Sequence, residues 1–82
     1  MDKYFQRFGE VVFTIPYKRD ITPNSILFML RQHVQCSIAE TFVENGALKI
    51  KIAADYREFQ IIVNKIRELL KGTGVSIRDK VI

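Results

Sequence analysis

An 82-residue chain with 48% hydrophobic and 27% charged residues has the makeup of one small globular domain and excludes a disordered segment. Thirteen basic against nine acidic residues leave a net charge of +4, and no charge run exceeds Lys18-Arg19, so a dedicated nucleic-acid surface is not the first expectation. The single cysteine, Cys36, excludes an internal disulfide and suits a reducing compartment, and no apolar stretch approaches the ~18 residues of a membrane span.

A domain this short buries only roughly 60–65% of its unfolded surface, so oligomerisation would add to its stability. Residues 1–7 lack the apolar core and small-residue cleavage site of a signal peptide. The expectation is a cytoplasmic protein without a membrane partner. Residues 1–8, with Tyr4, Phe5 and Phe8, read as an arm or a short helical turn ahead of a core spanning 9–82.

The first strand is expected over 9–15, stopped by Pro16, with Val11, Phe13 and Ile15 on one face and Glu10, Val12 and Thr14 on the other. After the loop Tyr17-Lys18-Arg19-Asp20, Thr22 suits a helix N-cap and Pro23 the first helical position, so helix 1 is predicted over 23–33. Its middle is an unbroken apolar run from Ile26 to Leu30, more than one stripe on a helix uses. The surplus, Leu27 and Met29, either wedges against the sheet or faces a partner.

A hairpin follows: a strand over 34–43, the dipeptide Asn45-Gly46, and a strand over 47–53. Asn-Gly between alternating strands signals a type I′ turn, because both central residues need positive φ. That turn sets Val43 opposite Leu48, Thr41 opposite Ile50 and Ala39 opposite Ile52. It also makes Glu40 and Lys51 an opposite-charge pair across the strands. A three-residue loop with a bulge would change this pairing. Helix 2 is predicted from the N-cap Asp55, with Glu58 three residues on, to the stop at Gly72. Phe59, Ile62, Val63, Ile66, Leu69 and Leu70 share one face. The last strand is expected over 75–82.

The chemistry-bearing residues do not cluster. His33 and Cys36 are too few for a zinc site and read as a helix end and a small apolar residue. The carboxylates are scattered, and Gly72-Thr73-Gly74 leaves a helix where a phosphate loop would open one. No catalytic residue, cofactor or metal is therefore expected.

The order β-α-β-β-α-β resembles the ferredoxin-like group over residues 9–82. The resemblance implies an α+β fold: a four-stranded antiparallel sheet in order 4-1-3-2, with two helices on one face and the other face open. Members of that group include RNA-recognition domains, small-ligand regulatory domains, acylphosphatases and assembly modules, and fold alone does not choose among them. RNA-recognition domains carry stacking aromatics on the third strand, where this chain has Lys49 and Lys51. Acylphosphatase-like sites use a glycine-containing loop after the first strand. Arg19 lies in that loop, without a glycine.

On the expected register, Val12, Cys36, Ile38, Glu40 and Phe42 share the open face with Lys49 and Lys51. The second strand forms an edge with Glu40 as its only internal charge, while Arg78, Asp79 and Lys80 guard the other edge. The leading expectation is a non-enzymatic protein-interaction or regulatory module, self-associating or joined to another protein. Its interface residues would be Val12, Ile38, Glu40, Phe42, Leu27 and Met29. The alternative is nucleic-acid binding through Lys18, Arg19, Lys49, Lys51 and Arg78.

Overall fold

A computed structural model describes residues 8–17 and 20–81. Among them the elements run β1 (Phe8–Thr14), α1 (Pro23–His33), β2 (Ser37–Glu44), β3 (Ala47–Ala53), α2 (Tyr56–Leu69) and β4 (Ser76–Val81). The fold is α+β, with four antiparallel strands and two helices. The sheet order is β2-β3-β1-β4, so β2 and β4 are its edges.

Several boundaries differ from the sequence expectation. β1 begins at Phe8 and leaves Ile15 out, and β4 occupies Ser76–Val81. β2 begins at Ser37 because Val34 serves helix α1 as its C-cap, with its N–H donated to Leu30 O at 2.8 Å. Residues 1–7, assigned from sequence to an arm or short helix, lie outside the described residues, as do Lys18, Arg19 and the last residue of the expected final strand, Ile82.

Both helices start from side-chain caps. Thr22 Oγ1 accepts from Ser25 N–H (3.1 Å) and Ser25 Oγ accepts from Thr22 N–H (3.0 Å), a reciprocal box that satisfies two otherwise orphaned donors. At α2, Asp55 Oδ1 accepts from Glu58 N–H at 2.8 Å.

The core lies between the helices and one sheet face. Val11 and Phe13 of β1, Leu48, Ile50 and Ile52 of β3, Ile26 and Leu30 of α1, and Phe59, Ile62, Val63 and Ile66 of α2 are buried in one cluster. At roughly 1.5–3 kcal/mol for each fully buried large apolar side chain, this layer is the main stabilising term. Gly9 is part of the fit: a Cβ there would fall inside the Phe59 ring, so only glycine lets α2 seat on β1.

The apolar run of α1 sorts by helical geometry. At about 100° per residue, Leu27 and Met29 flank the buried pair Ile26 and Leu30, and Phe28 points the opposite way. Accordingly Leu27 and Met29 are partly buried against the core, while Phe28 is 64% exposed. The expectation that Leu27 and Met29 exceed the needs of the core is thereby corrected, and Phe28 is the surplus residue.

The hairpin turn has φ of 46° at Asn45 and 76° at Gly46, the two positive values a type I′ turn requires. The β2–β3 register holds from Glu44↔Ala47 to Glu40↔Lys51. It then shifts: Ile38, not Ala39, stands opposite Ile52, and Ser37 opposite Ala53. The irregularity at Ala39 turns the beginning of β2 over. Ile38 and Cys36, expected on the open face, pack against the core instead.

Candidate interaction surface

The sheet face away from the helices is built by alternation. Residues that pair with one another across an antiparallel ladder share a face, so Phe8, Glu10, Val12 and Thr14 of β1 lie there. With them stand Lys49 and Lys51 of β3 and Arg78 and Lys80 of β4. From β2 come Glu40, Phe42 and Glu44.

This face is a charge lattice with an apolar interruption. Glu10, with its side chain only 16% exposed, lies 3.3 Å from Lys49 Nζ and 3.9 Å from Lys80 Nζ. Lys51 Nζ is 3.0 Å from Glu40 Oε1 and also sits 5.8 Å from the Phe8 ring centroid, a weak cation–π contact. The expected Glu40–Lys51 pair is thus formed. Such exposed pairs contribute about 0–1 kcal/mol each and mainly set register. Among the described residues no ion pair is formed by Arg78 or Glu44, which occupy opposite edges of the same face.

The apolar interruption is Val12 with Phe42. Together with Glu44, Ala47 and Lys49 they line a shallow hollow of about 180 Å³. Phe42 is 55% exposed, and Val12 is half-buried. Of the residues expected to form one patch, the structure brings together Val12, Glu40 and Phe42. It sends Ile38 to the other face and places Leu27 and Met29 on α1, beyond the sheet. Lys49, Lys51 and Arg78 share the open face, whereas Lys18 and Arg19 are outside the described residues. Sequence reasoning missed Phe8, although it continues the alternation of Glu10 and Val12.

Past Ile38, β2 is bare on both faces. Its helix-facing residues Thr41 and Val43 are exposed, Val43 to 60%, because the helices do not reach across the sheet to this edge. Val43 and Phe42 therefore present apolar surface on opposite faces of an unpaired edge strand. At the opposite edge the α2 side chain Arg67 straps β4: Nη2 donates to Asp79 Oδ1 at 2.6 Å and Nη1 to Ile77 O at 3.3 Å.

His33 is exposed at the end of α1, and Cys36 is half-buried, with burial pushing its thiol up from the ordinary value. A less available thiolate makes Cys36 a poor nucleophile. Among the described residues no group of three or more His, Cys, Asp or Glu side chains is placed to hold a metal ion, and no helix is long and apolar enough to cross a membrane.

The sequence matches no family model, and no curated protein matches it. Among solved structures, the chain is similar to the de novo designed protein Foldit4, with 17% identity over 92% of this chain and 96% of that one and a TM-score of 0.46. A likeness of that size leaves function to be argued from the surfaces.

Proposed function

We propose that this chain is a small non-enzymatic protein-interaction or regulatory module of ferredoxin-like architecture that self-associates on the β2 side of its sheet. The observation carrying this reading is the state of β2. It is an edge strand exposed along nearly all its length, with Phe42 and Val43 uncovered on opposite faces. Edge strands left bare invite another strand, and apolar residues beside them add area to the contact. The ferredoxin-like assignment is supported by the element order and by one core shared between both helices and the same sheet face.

The ion pairs favour this reading over nucleic-acid binding. Lys49 and Lys51, which a phosphate backbone would need, already face Glu10 and Glu40. Nucleic-acid binding would announce itself as affinity falling steeply with salt.

The test is sedimentation across a concentration series with wild type and Phe42→Lys. Self-association in the wild type is expected, with loss of the associated species in Phe42→Lys and an unchanged circular dichroism spectrum. A wild type that stays monomeric at high concentration removes the reading.

A further inference from the structure

Resting on the self-association just proposed, we infer its geometry: β2 of one copy pairs antiparallel with β4 of the next, continuing the sheet head to tail. The occupant of the bare β2 edge is thus the β4 edge of a second copy of this chain.

Strand direction permits this pairing. Every neighbouring pair in β2-β3-β1-β4 is antiparallel, so β2 runs against β4. A copy displaced along the sheet brings its β2 antiparallel to β4, with the helices of both copies on one side.

Hydrogen-bond parity permits it as well. The turn joins Glu44 to Ala47, and bonded pairs alternate along an antiparallel ladder, so Glu44, Phe42 and Glu40 direct their backbone groups to β3. Val43 and Thr41 then direct theirs outward. Carried across β3 and β1, the same alternation points Ile77 and Asp79 outward from β4. The Arg67 bond to Ile77 O independently shows that this carbonyl faces away from β1.

Setting Val43 opposite Ile77 and Thr41 opposite Asp79 of the next copy satisfies these outward groups. The same register places Arg78 of the next copy opposite Phe42, flanked by Glu40 and Glu44, with its Lys80 opposite Glu40. The two edges are electrostatic complements: carboxylates on β2 and cations on β4, on the same sheet face. Arg78 and Glu44, which form no ion pair within the described residues, meet across this junction as diagonal neighbours. Arg67 keeps Asp79 and yields its long bond to Ile77 O to the incoming Val43 N–H. Two-fold pairing of β2 with itself would instead gather Glu40 and Glu44 of both copies on one face, which is unfavourable.

The charges on β4 therefore oppose pairing of β4 with itself and select β2. A head-to-tail junction of this kind does not close on itself as a dimer, so rings or short filaments result.

Edge-blocking prolines test this. Thr41→Pro removes an outward N–H from β2, and Asp79→Pro removes one from β4. In sedimentation, the wild type should exceed a dimer in mass and each variant alone should be monomeric. Their equimolar mixture should form a dimer and nothing larger, since each supplies the edge the other lacks. If Asp79→Pro associates as strongly as the wild type, the head-to-tail junction is wrong while self-association stands. A monomeric wild type overturns both.

Should a proline variant lose its circular dichroism signal, Glu44→Lys and Arg78→Glu replace the pair. Each alone should weaken association about 2- to 5-fold, the worth of an exposed ion pair, and mixing them should restore it. Mixing without restoration overturns the junction.

Discussion

The two arms of the β2–β3 hairpin share one turn and one register over most of their length, yet they live in different surroundings. β3 alternates cleanly, with Leu48, Ile50 and Ile52 buried and Lys49 exposed. β2, directly beside it, is exposed almost throughout. Strand pairing sets direction and register, but what lies above and below a strand decides whether its apolar residues stabilise the fold. β3 sits between two neighbours under the helices. β2 has one neighbour and, past Ile38, no cover, so Phe42 and Val43 stay exposed.

Substitution at one cross-strand pair gives the largest contrast between the arms. Ile50→Ala should cost about 2–5 kcal/mol, since Ile50 is fully buried. Thr41→Ala, at the position opposite Ile50, should fall within about 0.5 kcal/mol. Urea denaturation of the two variants checks this, and comparable losses would mean that β2 is covered.

The irregularity at Ala39 sharpens the comparison within β2 itself. Ile38→Ala should cost about 1–2 kcal/mol because that side chain packs against the core. Phe42→Ala, further along the same strand, should change monomer stability by no more than about 0.5 kcal/mol. The opposite ranking in thermal melts of dilute protein would restore the unbroken register.

Of the three destabilising changes, the smallest belongs to the turn joining the arms. Gly46→Ala places a Cβ at a φ of 76° and should cost about 1 kcal/mol, read as a lower urea midpoint with an unchanged slope.

Local signals in the sequence carried far. Thr22-Pro23 locates the start of α1, and Asn45-Gly46 the turn and the register as far as Glu40. The Asp55 cap and the spacing from Phe59 to Ile66 locate α2 and its buried face. What failed was the extrapolation of one register through all of β2. A small residue such as Ala39 fits either face, so nothing at that position marks the break. The signal lies on either side of it: helix-facing residues are even-numbered at Cys36 and Ile38 and odd-numbered at Thr41 and Val43. That change of parity is visible in the sequence once both stretches are required to face the core.

The apolar run in α1 misled for a different reason. Counting apolar residues overstates the surplus, because residues flanking the buried stripe still reach the core. Only Phe28, half a turn away, does not. The candidate surface was legible where it depended on alternation from the turn, at Glu40, Phe42, Lys49 and Lys51. It was not legible where it depended on which strands the helices cover, as with Val43, because coverage is a property of packing between distant segments.

The position of Cys36 gives the protein a built-in clock. The thiol is held half-buried against the core just ahead of β2, with its ionisation suppressed by that burial. Alkylation should therefore be slow while the segment is seated and fast whenever it peels away, so the modification rate of this one sulfur times the opening of the strand. Because the chain has no second cysteine to compete for reagent, the kinetics would report a single event, followed without any engineered label.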